Sequence, residues 1–330
     1  CVNCRTALSG AHPDVTLVRT ELLSIGVDEV RELVRKAALS PAVGRWQVLV
    51  IEDADRITDR GADALLKSIE EPPPRTVWVL CAPTADDVIV TIRSRCRQVQ
   101  LRTPSDREVA ELLITRDGVD PALAGYAARA AQGHIGRARA LARDPQARNA
   151  RHEILQTPSR LTSLGACLFA AEELEKQAVD EAVRTTADLD AKERAELEEA
   201  LGFGSRGVRP RQAQAALKDL EDDQKARAKR LRRDALDRAL VELTTWYRDV
   251  LAVQLGVVDA DNLHAATAAG VGLVNAELRA DVIQAARADS PEHTIRCIDA
   301  ILGCRRALES NVTPLLALES LLLQLGSPTT

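Results

Sequence analysis

Three groups of residues have the types and spacing that do chemistry. The stretch TIRSRCRQVQL (91–101) carries Arg93, Arg95 and Arg97 in alternation. An arginine fork donates several N–H groups in one plane and grips phosphate. The sequence given shows no phosphate-binding loop, which raises the question of whose phosphate Arg95 would meet. The stretch LVIEDADR (49–56) ends an apolar run on Glu52 and Asp53. Two carboxylates at the end of a strand can hold Mg²⁺ and orient water beside a nucleotide. Cys1 and Cys4 stand at C-x-x-C spacing and offer two thiolates to a metal. Plainer readings exist for the first two: surface charges ahead of a strand, and acidic turn residues after one.

The elements that must position these residues follow from hydrophobic periodicity. VDEVRELVRKAAL (27–39) places Val27, Val30, Leu33 and Val34 on one helical face. WQVLVIED (46–53) and TVWVLCAP (76–83) are near-continuous apolar runs, expected as buried parallel strands. RQVQL (97–101) is expected as a third strand. Between the first two, TDRGADALLKSIEEP (58–72) fits a helix capped by Thr58 and stopped before Pro72. VIVTIRSR (88–95) is a short helix or turn. Strands alternating with helices predict a parallel sheet covered on both faces.

Pro104 marks a change to short helices, separated by Gly118, Pro121, Gly133 and Pro158. GRARALARDPQARNARHEIL reads as one of them. From residue 159 onward no strand signal remains. The stretch 172–235 is charged with alternating sign, as an exposed helical hairpin requires. Its LRR and KRLRR patches could touch DNA or an acidic partner. Residues 296–325 close the chain with two apolar-faced helices around Pro314. GFGSRG (202–207) matches G-x-G-x-x-G but follows a charged helix instead of a strand, so it reads as a loop.

Composition bounds the function classes. The chain has 330 residues, 45% hydrophobic and 28% charged, with a formal net charge of −5. Those values are ordinary for a globular protein and exclude a uniformly basic nucleic-acid binder. No run of about 18 apolar residues spans a membrane, no signal peptide is visible, and a cytoplasmic location is expected. Seven scattered cysteines predict small core residues in a reducing compartment rather than a disulfide framework. The sequence has no Met and begins with Cys, so its native start is expected to lie upstream.

ALLKSIEEPPPRT, running on to CAPT and IRSRC, resembles the signature of bacterial DNA polymerase III clamp-loader subunits, an AAA+ family. The resemblance covers nearly the whole chain and is most specific over 1–103. It implies a fold of α/β plus all-α type. Residues 1–103 would be the C-terminal part of a RecA-like AAA+ domain with a parallel sheet, 104–157 a small helical lid, and 158–330 a helical collar that assembles the ring. The Ser-Arg-Cys motif becomes Ser94, Arg95 and Cys96. Arg95 would be an arginine finger acting in trans, Ser94 would position the turn, and Cys96 would pack inward. Thr84 takes the place of the first polar sensor. Cys1 and Cys4 would be the last two ligands of a four-cysteine zinc module, with zinc in the full-length protein.

Two branches of the family are close, the ATP-hydrolysing motor (tau/gamma) and delta-prime. The motor's Walker B strand ends Asp-Glu, whereas here the order is Glu52-Asp53. Shortening the water-orienting side chain by one methylene moves its carboxylate by about 1 Å, which can cost roughly 10²-fold. That suits a subunit whose own hydrolysis is weak or absent, and ATP binding by this chain is doubtful. In the lid, the motor's sensor arginine aligns with Gly136. Arg137 is adjacent but points about 100° further round the helix. Asn311-x-x-Pro314 resembles the entry to the delta-prime collar helix. The resemblance therefore implies the delta-prime branch, with an ATP-hydrolysing motor subunit or related AAA+ ATPase as the alternative. Implied partners are the motor and delta subunits, the sliding clamp, and primed-template DNA through the complex. No catalytic site of its own is expected, and nucleotidyltransferase activity would belong to the holoenzyme.

Overall fold

The computed structural model of the protein describes residues 1–20, 24–201, 211–258, 272–310 and 312–326. The chain divides into two compact units. One comprises Cys1–Leu101 with Val208–Arg230, the other Arg102–Gly207 with Leu231–Thr330.

The first unit opens on the short helix α1 (Val2–Leu8). It is built on a parallel sheet of β1 (Val15–Val18), β2 (Gln47–Ile51) and β3 (Thr76–Leu80), in that order. Val15 lies opposite Val48, and Gln47 opposite Thr76. Parallel neighbours need crossovers, and α2 (Val27–Ala37) and α3 (Asp59–Glu70) occupy the two connections. Val30, Leu33 and Ala37 of α2 are buried with Leu49, Ile51 and Leu65 in one core. Thr58 caps α3 as its sequence implies, its Oγ1 accepting from Gly61 N at 3.2 Å. A Cβ at Gly61 would stand 3.2 Å from Val30, so glycine here lets α2 and α3 approach.

Three strand expectations are corrected. RQVQL (97–101) forms no strand: Val99 is 73% exposed, Leu101 86%, and no described strand lies beside them to pair with. Alternation alone does not make a strand where no neighbour completes the ladder. β1 was missed, because four residues after a Gly-Ala-His-Pro-Asp turn carry little periodicity. β3 is not fully buried. Its Thr76 faces the core, while Val77 and Val79 are each 39% exposed. The sheet is thus packed firmly on the face that carries Leu49 and Ile51 and only partly covered on the other.

In the second unit, α5 (Asp106–Asp117), α6 (Pro121–Ala131) and α7 (Ile135–Arg143) share a small core of Val109, Leu113, Ala124, Ala127, Ala138 and Leu141. Alanines on α6 let the three helices pack closely. Ser105 caps α5, and Arg102 and Ser105 hold the Glu108 carboxyl well below the usual carboxylate range. The expected single helix after Gly133 breaks at Asp144, which caps α8 (Pro145–Arg160) through Gln146 N at 2.8 Å with Pro145 at the first helical position. Pro158, expected as a breaker, lies inside α8.

A larger core gathers Leu155 and Leu161 with Cys167, Ala171 and Leu174 of α9 (Leu164–Ala200). It also takes Leu236, Leu240, Leu243 and Trp246 from α10 (Arg211–Gln254). After α11 (Arg279–Ala288), Ile301 of α12 (Pro291–Glu309) and Leu318 of α13 (Pro314–Leu325) complete it. The charged stretch does form two long helices. It is less solvated than its charge implies, since Ala213 and Leu217 are buried. The GFGSRG stretch and Asn311 lie outside the described residues.

Candidate functional site

The Ser94–Arg95–Cys96 turn follows α4 (Val90–Arg93). Ile92 is 1% exposed and anchors the turn from one side. Cys96 packs half-buried against the same core from the other, and burial pushes its thiol up. Ser94 and Arg95 between them are held outward. Ser94 Oγ donates to the Thr91 carbonyl at 3.1 Å. Arg95 Nη1 donates to the same carbonyl at 2.9 Å and to Ser94 Oγ at 3.2 Å. Its Nε donates to the carboxylate of Glu70, the last residue of α3. The Arg95 side chain remains 39% exposed. Arg93 is spent locally on Asp86 and the Ala85 carbonyl, while Arg97 is exposed.

Glu52 and Asp53 follow β2 at the carboxyl edge of the sheet, where parallel sheets bind ligands. Arg19, just beyond β1, grips Glu52 through both nitrogens of its fork, at 2.7 and 3.1 Å. That hydrogen bond and the nearby negative charge raise the Arg19 guanidinium above its ordinary value. Asp53 lies 3.5 Å from Arg230 of α10 and 3.9 Å from Arg56. Both carboxylates are therefore faced by arginines of the same chain. Thr84, beyond β3, donates its N–H and its hydroxyl to one oxygen of Asp87, each at 2.9 Å. The strand ends thus bring Glu52, Asp53 and Thr84 to one edge, and the charges there are internally matched.

Arg137 lies near the start of α7, where His134 caps the helix through Arg137 N at 3.1 Å. Its guanidinium is paired with Glu242 of α10, and burial, with Arg151 and Arg238 nearby, pushes it down to about 10. Cys1 and Cys4 are exposed on α1, the Cys4 N–H donating to Cys1 Sγ at 3.4 Å. Among the described residues no group of three or more His, Cys, Asp or Glu converges on a metal position. The two thiols supply half of a four-thiolate zinc shell and do not fit the ion by themselves.

Sequence reasoning missed Arg19 and Glu70, and singled out Arg230 only within the KRLRR patch. Arg19 carries no local signal, and the carboxylate partners of Arg19 and Arg230 lie 33 and 177 residues away. Glu70 stands in the same SIEEPPP stretch as the family signature, so its neighbourhood was visible and its contact was not.

A family model described as DNA polymerase III, delta subunit matches residues 1–105. Over 109 residues the chain is 36% identical to DNA polymerase III subunit delta' of Escherichia coli (strain K12), covering 32% of this chain and 33% of that protein. It is 32% identical over 114 residues to DNA polymerase III subunit gamma/tau of Mycobacterium tuberculosis (strain ATCC 25618 / H37Rv), covering 34% and 20%. A solved gamma subunit-related protein from Thermotoga maritima aligns over 69% of this chain and 84% of its own, at 17% identity and a TM-score of 0.31. That score is too low to bear on the fold. The match spans about a third of the length of the curated delta' relatives.

Proposed function

We propose that this chain, which matches the DNA polymerase III delta-subunit family model over residues 1–105 and is similar to delta' subunits over about a third of their length, is a ring-building clamp-loader subunit of the delta-prime branch whose chemical contribution is Arg95. It takes its place beside an ATP-hydrolysing motor subunit and reaches the γ-phosphate held there. A guanidinium arriving from outside stabilises charge on the transferring phosphoryl group, and such fingers are worth about 10³–10⁵ in rate. The observation that carries the reading is the turn itself. Ile92 and Cys96 are packed inward, and the guanidinium between them stays accessible. The complex then opens and places the sliding clamp at primed DNA.

The match to gamma/tau relatives favours a second reading, an ATPase in its own right. Against it stand the Glu52-Asp53 order and the arginines that face both carboxylates. The lid offers a glycine at the sensor position, and the adjacent Arg137 is committed to Glu242.

The test is a loader reconstituted with clamp and primed DNA, carrying Arg95→Ala in this subunit only. DNA-stimulated ATP turnover at the adjacent site is expected to fall by about 10³-fold or more while the complex still assembles on size exclusion. Unchanged turnover would mean the arginine is structural.

A further inference from the structure

We propose that Glu70 is the positioning residue for Arg95: it holds the guanidinium by Nε and leaves Nη2 for a neighbour's phosphate. This rests on the reading of Arg95 as a finger in trans. Three bonds fix the side chain, two of them local and one reaching 25 residues back. Nη1 is held by the Thr91 carbonyl and Ser94 Oγ, and Nε by Glu70. Among the described residues Nη2 has no partner. The guanidinium is thus fixed in its plane by two nitrogens, with the third available to an anion.

The two residues stand on supports that do not share a segment. Glu70 ends α3, a helix anchored through buried Ala62 and Leu65, and Pro72, Pro73 and Pro74 stiffen the chain that leaves it. Arg95 stands on the short turn fixed by Ile92. An arginine has many rotamers to lose on ordering. A carboxylate fixed on a neighbouring helix removes that freedom before the partner arrives, and a group held in place in advance costs least at the moment of reaction. The pair is exposed, at 39% and 45%. Exposed ion pairs add little to fold stability, so a purely structural role gives Glu70 little to do. Arg93 does not compete for Glu70, being engaged by Asp86.

The experiment compares wild type, Glu70→Ala, Glu70→Gln, Arg95→Ala and the Glu70→Ala/Arg95→Ala double variant in the reconstituted loader with clamp and primed DNA. It reads kcat and KM for ATP, together with the melting temperature of the chain. Glu70→Ala is expected to lower kcat roughly tenfold, short of the ~10²-fold that a misplacement of about 1 Å can cost. KM for ATP and the melting temperature should stay unchanged. Glu70→Gln, which keeps an acceptor oxygen at the same reach, should recover to within about threefold of wild type. The double variant should be no slower than Arg95→Ala alone. Wild-type turnover in Glu70→Ala alongside a collapsed Arg95→Ala would overturn the positioning role and leave the finger standing. A rise in turnover would make Glu70 a restraint and overturn the proposal equally. No effect of Arg95→Ala would remove the finger itself.

Discussion

Asp14 shows how much one side chain can organise. It is 1% exposed, and its carboxylate accepts backbone N–H groups from Ala42, Val43 (2.9 Å) and Gly44. Those bonds favour the charged form and hold its carboxyl below its ordinary value, with burial opposing them. A depressed carboxylate stabilises the fold fully above its unfolded pKa and loses that contribution as pH falls through the folded one. Asp14→Asn should therefore lower the melting temperature by a few degrees at pH 7, and the gap to wild type should narrow toward pH 3. Melts at both pH values decide it; an equal gap at both would refute the charge account. Asp14 was not legible as important, because the loop it closes lies about thirty positions along the chain. The same holds for Arg19, whose partner Glu52 was recognised while Arg19 itself was not. Residue types with fixed motif spacing, such as Ser94, Arg95 and Cys96, could be singled out. Residues defined by a distant partner could not. The cysteines follow the same rule: Cys167, Cys297 and Cys304 are buried as expected of small core residues, whereas Cys81 is exposed at a strand end.

At the scale of elements, a buried polar cluster joins α6, α7, α8, α10 and the turn before α11. Arg151, 3% exposed, donates to Glu242 at 3.1 Å and Tyr126 at 3.2 Å, and to Glu277 and Asn275. Asp249 is fully buried and accepts from Val274 N at 3.1 Å and Asn275 N at 2.7 Å. Removing one partner of such a set strands a charge, at a cost of about 3–5 kcal/mol. Arg151→Met alone should cost about that much in chemical denaturation. Adding Glu242→Gln also takes the partner from Arg137, so the double variant should fall below either single variant yet by less than the sum of the two losses. Additive losses would mean that the two residues act independently. This cluster is also why the helical half was only partly readable. The breakers Gly118, Pro121 and Gly133 announced α5 and α6 and Pro314 the start of α13, and the Asp144–Pro145 step announces the start of α8 once seen as a cap. The KRLRR patch looked free for DNA, yet Arg230 faces Asp53 and Arg232 pairs with Glu175. Charge pattern reports that a helix can be solvated and is silent on which charges the fold consumes.

At the scale of the molecule, the chain divides its chain segments unevenly between two compact units, with α10 contributing Arg230 to one and Leu236 to the other. The sheet unit carries the Arg95 turn and a carboxylate edge whose charges are matched from within. The helical unit carries Arg137, committed to Glu242. No helix among the described residues is long and apolar enough to cross a membrane. The proposed role, a subunit that lends a side chain to a partner's reaction, rests on the Arg95 turn. The sharpest test uses the principle that a finger binds the transition state more tightly than the ground state. The reconstituted loader is titrated with ADP alone and with ADP plus aluminium fluoride, a mimic of the transferring phosphoryl group, for wild type and for Arg95→Ala in this subunit. The account predicts unchanged affinity for ADP and a loss of about 10²-fold or more for the fluoride complex. Equal affinity of both proteins for the fluoride complex would contradict it.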